Sequence, residues 1–286
     1  MKKQALLLLF IAFLGNYAVA QTADEILNQY YENTGGIDNW KQLKGLKMYA
    51  SINQMGMEIP IEIVRLKSGK TMTKATFQGK EIKQGVFNGE VLWGDNLMTQ
   101  KAEKSDQEVT ENMKRTATDF PDALFNYKLK GYTLERLKDE DYEGTKCFKL
   151  KMTKKSVLVD GKEEDNVEFY FFDKDNFVPI SQQAEIKSGP MKGQMSESKL
   201  SDYQEVDGLY FPFSLTQGLV GGESQSIIIT KIELNPVVDE SVFEFPVETK
   251  PEIGKLNAQI NEINKNLIDG KVVSWFLTRK ARRAAK

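Results

Sequence analysis

Between Leu46 and Trp93, apolar and polar residues alternate in five short runs separated by glycine-containing turns. Leu46, Met48, Ala50 and Ile52 fall on one side, and Lys47, Tyr49, Ser51 and Asn53 on the other. The alternation resumes in Met57, Ile59, Ile61 and Ile63, then more weakly in 70–77, 80–87 and 90–93. Turns fall at Gly56, Ser68–Gly69, Gly79 and Asn88–Gly89. Period two over this many runs predicts an antiparallel meander with one apolar face. A second β run follows, with strands expected over 132–137, 147–152, 167–172, 177–186, 195–203, 209–215 and 226–234. Pro212 has no N–H to donate, so its strand should have a free edge at that point. The sum is about 11–12 strands without the strand–helix alternation of a parallel sheet, a mainly β chain with flanking helices.

Three stretches break this period. Thr22-Ala-Asp-Glu25 reads as a capping box opening a helix whose stripe is Ile26, Leu27, Tyr30 and Tyr31, stopped by Gly35–Gly36. Ile37 to Leu43, including Trp40, forms an apolar connector into the meander. Ser105-Asp-Gln-Glu108 reads as a second capping box before a thin stripe of Val109 and Met113, which ends near Phe120–Pro121. So little apolar area suits a surface crossover helix, or a mobile lid over the sheet. Past Pro251, Ile253, Leu256, Ile260, Ile263 and Leu267 recur at helical spacing up to Asp269–Gly270.

Composition sets the compartment. Lys2 and Lys3, an apolar block from Ala5 to Leu14 and the small-residue exit Ala18-Val19-Ala20 read as a secretory signal peptide, cut after Ala20. No cysteine stands at the cut, so no lipid is expected there. Three segments follow: 1–20 signal, 21–250 β domain, 251–286 amphipathic helix and basic tail. The mature chain holds 37 basic against 41 acidic residues, a balance that argues against nucleic acid as partner. Only Trp275, Phe276, Arg279, Lys280, Arg282 and Arg283 form a concentrated basic-aromatic stretch, which suits either a solvated tail or an anionic membrane surface.

The chain has no histidine, which removes the commonest general base and the commonest zinc ligand. Its single Cys147 sits in a strand-like run as a small apolar side chain. The carboxylate groups Asp139–Asp141, Glu163–Asp165 and Asp173 with Asp175 read as turn chemistry, and Lys154–Lys155 as gatekeeper charges beside a strand. No phosphate-binding or nucleophile-elbow motif is present. No cofactor and no metal is expected. Ten methionines, Met48, Met57, Met72 and Met152 among them, fit core filling or an adaptable binding surface.

Several strings carry a family resemblance: Tyr30-Tyr-Glu-Asn-Thr-Gly-Gly-Ile-Asp-Asn-Trp40, Phe77-Gln-Gly-Lys80, Phe87-Asn-Gly-Glu-Val-Leu-Trp93, Ser201 to Phe213 and Phe243-Glu-Phe-Pro246. In order and spacing they resemble the exported lipoprotein-sorting proteins of the LolA/LolB kind, in their Bacteroidetes variety. The resemblance implies an unclosed antiparallel half-barrel with helices on its concave face. It further implies a periplasmic, non-enzymatic carrier of lipoprotein acyl chains or other lipids, moving toward the outer membrane and meeting inner- or outer-membrane lipoprotein-handling proteins. On that basis Met48, Ile52, Met57, Ile59, Ile61, Trp93, Phe211 and Phe213 are expected to line the cavity. Members of the family hold their lid with an arginine followed by proline. The matching turn here is Leu66-Lys-Ser-Gly-Lys70, so Arg65 and Lys67 are the candidates for a lid latch. Two alternatives stay open: an envelope structural or protein-interaction module with a fully packed sheet, and a hydrolase using Glu58 or Glu62 on the concave face.

Overall fold

The computed structural model describes residues 21–54, 56–246 and 260–262. The chain divides into two compact units, Met1–Glu244 and Phe245–Lys286. In the second unit, residues 260–262 are helical. The expected signal segment and cleavage site and the basic stretch from Trp275 to Arg283 lie outside the described residues, as does most of the helix expected after Pro251.

The first unit opens with α1 (Ala23–Asn33) and α2 (Ile37–Gln42), followed by six strands: β1 (Gly45–Gln54), β2 (Met57–Leu66), β3 (Thr71–Phe77), β4 (Lys80–Phe87), β5 (Leu92–Asp95) and β6 (Ala102–Lys104). After α3 (Gln107–Thr116) come β7 (Thr133–Arg136), β8 (Glu140–Tyr142), β9 (Thr145–Thr153), β10 (Val157–Val159) and β11 (Lys162–Glu164). The remaining strands are β12 (Val167–Asp173), β13 (Pro179–Glu185), β14 (Met195–Val206), β15 (Leu209–Leu219) and β16 (Ser224–Leu234). Fourteen of them form one antiparallel sheet, ordered β6-β5-β4-β3-β2-β1-β16-β15-β14-β13-β12-β9-β7 with β8 beside β9. Strands β10 and β11 form a separate hairpin. The end strands β6 and β7 do not pair with each other, so the sheet is an unclosed half-barrel. The four strands beyond the expected count, β6, β8, β10 and β11, are three residues each, too short to display an alternation.

Register separates the two faces. Leu46 pairs with Arg65, Met48 with Ile63, Ala50 with Ile61 and Ile52 with Ile59, so these residues share the concave face. Lys47, Tyr49 and Ser51 pair with Val64, Glu62 and Pro60 on the convex face. On the other half of the sheet, Leu150 pairs with Tyr170 and Phe148 with Phe172, again facing inward. The stripe of α1 lies on that half: Ile26, Leu27, Tyr30 and Tyr31 are buried in one cluster with Trp40, Phe125, Leu150, Phe172, Leu209 and Phe213. Ring centroids 5.8 Å apart (Tyr30–Phe172), 5.9 Å (Tyr31–Phe125) and 5.2 Å (Trp40–Phe211) knit the layers. Each such buried side chain contributes about 1.5–3 kcal/mol of transfer free energy.

The end of α1 is seated by backbone contacts. Thr22 and Glu25 form the expected capping box at its start. At its far end Gly35 adopts φ 113°, and a Cβ there would lie 2.0 Å from the Gly208 carbonyl oxygen. The Tyr210 N–H donates to the Thr34 carbonyl at 3.1 Å. It can do so because β15 pairs with β16 only from Ser214 onward. Pro212 therefore stands where its strand has a neighbour on one side alone, as its missing N–H requires.

The second capping box does not form. The N-cap of α3 is Asp106, without a side-chain cap. Glu108 instead accepts the Asp160 and Gly161 amides of the β10–β11 turn at 3.2 and 2.7 Å. Asn112 exchanges two hydrogen bonds with Leu158 (2.8 and 2.7 Å), and Arg115 grips Glu163 through both nitrogens at 2.6 and 2.8 Å. No residue of α3 is buried. The helix is thus tied to a hairpin by polar contacts, and its thin apolar stripe covers little of the sheet.

Candidate functional site

The chain from Ala117 to Gly131 lies against the concave face, and Arg65 is what meets it. The guanidinium donates to the carbonyls of Asp119 (2.8 Å) and Pro121 (2.9 Å). Burial pushes this guanidinium down from its ordinary value, opposed by the charges of Asp122 and Asp119. Lys67 lies elsewhere and donates to the Lys41 carbonyl at 3.3 Å.

Around that contact sits a buried network of charges. The Asp119 carboxylate accepts from the Tyr132 hydroxyl at 2.9 Å and faces Lys130 and Lys154 at 3.4 and 3.6 Å. Lys154 also pairs with Glu168, which accepts from Tyr170 and from Gln182 at 3.1 Å. Lys130 donates to the Asp122 carbonyl at 2.8 Å. Burial pushes the Lys130 ammonium down while Asp119 and Asp122 support it. Burial raises Tyr170 and Tyr132, with Glu168 and Asp119 respectively adding to it. The Asp122 carboxyl, accepting the Phe125 amide at 2.8 Å, is raised by desolvation. Lys154 is therefore a buried bridge between two acids and not the gatekeeper charge that its place beside a strand suggests. Both acids direct their lone pairs at cations and at hydroxyl or amide donors, charge-assisted contacts that hold the segment in place.

Two cavities open on this face. One, of about 360 Å³, lies beside the charge network and is walled by Tyr30, Trp40, Met48, Tyr170, Tyr203 and Phe211 among others. The other, of about 880 Å³, lies over the outer ends of β1 to β5, where Ile52, Ile59, Ala75, Phe77, Ile82 and Leu97 present apolar walls. No residue of α1, α2, α3 or 117–131 lines the larger cavity. Its rim charges are already engaged: Lys80 donates to Gln100 at 3.0 Å, Glu81 pairs with Lys74 at 3.0 Å, and Asp95 accepts the Lys83 amide at 2.7 Å.

The residues expected to line a single cavity are distributed among several places. Ile52 and Ile59 line the large cavity, and Met48 and Phe211 the smaller one. Phe213 belongs to the packed core, and Ile61, partly buried, packs against it. Met57 is 45% exposed, opposite Gln54 at a hairpin tip. Trp93 lines neither cavity. It is buried on the convex side, donating to the Phe243 carbonyl at 2.9 Å under Lys83, whose strand neighbour Lys74 faces Glu62. The 3-10 turn Glu240–Phe243 fills that side, which alternation within β5 alone does not reveal. Met72 and Met152 are core residues, 3% and 0% exposed. Glu58 and Glu62 face outward, Glu62 3.2 Å from Lys47, so the hydrolase arrangement is not formed. Among the described residues no group of three or more carboxylate or thiol side chains is placed to hold a metal ion.

What these features define is an unclosed antiparallel half-barrel, roofed on one half of its concave face and, among the described residues, open on the other. No protein-family model matches the chain, and no curated protein matches its sequence. Among solved structures it is similar to a LolA superfamily protein from Nitrosomonas europaea, at 15% identity and a TM-score of 0.48 over 79% of this chain and 98% of that one. It is likewise similar to a putative outer membrane lipoprotein-sorting protein domain from Vibrio parahaemolyticus (10% identity, TM-score 0.44, 77% of this chain and 95% of that one). A DUF1329 family protein from Desulfovibrio piger is similar at 14% identity and a TM-score of 0.46, over 75% of this chain and 95% of that one. At these identities the likeness is one of fold alone.

Proposed function

We propose that the protein is a non-enzymatic carrier of the cell envelope, holding the hydrocarbon chain of a lipoprotein or another lipid in the large cavity while it crosses the periplasm toward the outer membrane. The observation that supports this reading is the opening of about 880 Å³ that the described residues leave over Ile52, Ile59, Ala75, Phe77 and Ile82. Its size falls in the range of small-molecule sites, and its aliphatic and aromatic walls are interleaved with polar side chains such as Gln54, Gln84 and Asn96. Shielding a chain there gains about 0.8 kcal/mol per buried methylene, the same term that keeps a free acyl chain out of water. The basic stretch Arg279 to Arg283 with Trp275 and Phe276 would hold the carrier at an anionic membrane during loading or release.

The test is co-purification. Protein isolated from the periplasm and sprayed intact should carry a lipid mass that disappears on solvent extraction, and the stripped protein should bind a fluorescent fatty acid. An empty protein that also ignores the fluorescent probe contradicts the reading. A packed interaction module would give that result.

A further inference from the structure

The smaller cavity is of another kind. Three cations and three carboxylates stand at or behind its wall, and their formal charges cancel: Arg65, Lys130 and Lys154 against Asp119, Asp122 and Glu168. Five of these charges are committed. Arg65 serves two carbonyls, and Lys130 and Lys154 hold Asp119 and Glu168. Asp122 is different: its carboxylate accepts the Phe125 and Leu124 amides, and Arg65 and Lys130 act on it only through space, without a direct ion pair among the described residues. It lines the cavity together with the rings of Tyr30, Trp40, Tyr170, Tyr203 and Phe211. A carboxylate among aromatic faces is the environment that holds an organic ammonium, through charge and through the ring quadrupoles.

Charge balance then limits the guest. An ion of either sign alone would leave a poorly hydrated, balanced site with a net charge, at a cost that burial magnifies. A guest that brings its own counter-ion keeps the balance. Tyr210, 37% exposed, is part of the wall, so the cavity reaches the surface. We propose that this cavity binds a zwitterionic ammonium head, an ammonium joined to a phosphate or carboxylate, of the phosphocholine or phosphoethanolamine type. The proposal stands apart from the acyl-chain reading, because the two cavities share no lining residue.

Calorimetric titration of the full chain tests it with free phosphocholine, choline and glycerol 3-phosphate, and with lysophosphatidylcholine and lysophosphatidylglycerol of equal chain length. The zwitterion should bind at least about tenfold more tightly than either half of it, and the choline lysolipid about tenfold more tightly than the glycerol one. D122N should abolish both preferences while leaving fatty-acid uptake unchanged. Binding of free phosphocholine identifies a soluble zwitterion as sufficient, and binding of the choline lysolipid alone identifies a membrane-lipid head; either supports the site. Equal binding of the two lysolipids overturns this inference and leaves the carrier reading standing. Equal binding of phosphocholine, choline and glycerol phosphate, or no binding by any, overturns it as well, and these outcomes are read on the native chain whether or not the variant folds.

Discussion

Over β9, β12 and β15 the concave face is roofed by α1, Trp40 and the 117–131 segment, and its apolar side chains are spent on one another. Over the outer ends of β1 to β5 the same face, with the same alternation, has no roof among the described residues and bounds an opening of about 880 Å³. The difference follows from where the helices find partners. The stripe of α1 is wide enough to bury Ile26, Leu27, Tyr30 and Tyr31, so it stays on the sheet. The stripe of α3 buries nothing, and its polar side chains are claimed by the β10–β11 hairpin instead. One half therefore carries folding stability, and among the described residues the other is left open.

Substitutions should separate the halves sharply. Lys154→Met leaves Asp119 and Glu168 buried without their shared cation, and should cost about 3–5 kcal/mol in urea unfolding. Fatty-acid uptake by the fraction still folded should be unaffected; a stable variant would mean that the charge network is not what holds the roof. A smaller effect is expected from Arg65→Lys, since an ammonium cannot serve both carbonyls as the guanidinium fork does. The expected loss is about 1.5–3 kcal/mol, the range for a hydrogen bond to a charged group, with faster amide exchange confined to 117–131.

On the vacant half the order of readouts reverses. Ala75→Asp should change unfolding free energy by no more than about 1 kcal/mol, because the site is only partly buried. It should weaken uptake of a fluorescent fatty acid by about tenfold or more, by placing an unpaired carboxylate in the path of the chain. Loss of stability without loss of uptake would break the division. The mildest effect is expected from pH. The Arg115 and Ser156 hydrogen bonds hold the Glu163 carboxyl down at about 2, against an ordinary 4.5. A depressed carboxyl stabilises the folded form above its ordinary value, and that contribution is lost as pH falls from 4.5 toward 2. Amide exchange in α3 should accelerate across that window, as should the first turn of α1, whose capping Glu25 is lowered too, while the buried turn at Tyr30 and Tyr31 stays protected.

Most of the sheet was readable because its longer strands run over seven or more residues, enough to display the alternation. Ile52 and Ile59 lie on the predicted face for the same reason, and Thr22 with Glu25 caps α1 as their spacing requires. Local patterns stop being informative where distant chain decides the environment. Trp93 is apolar on a strand, but a turn 150 residues later covers the other side. Glu108 has capping-box spacing, yet a hairpin more than 50 residues on takes its carboxylate. Lys154 looks like an edge charge until Asp119 and Glu168, neither of them its neighbour in sequence, close around it. Period-two reading identifies faces; it does not say which part of a face other segments will cover.

A direct trial of the division is photo-crosslinking with a diazirine fatty acid, followed by peptide mass spectrometry. Label is expected in the peptides spanning Ile52–Ile59 and Ala75–Ile82, and not in those from α1 or 117–131. Label concentrated on the roofed half, or scattered without competition from unlabelled fatty acid, would contradict the assignment of the vacant half as the place where the hydrocarbon rides.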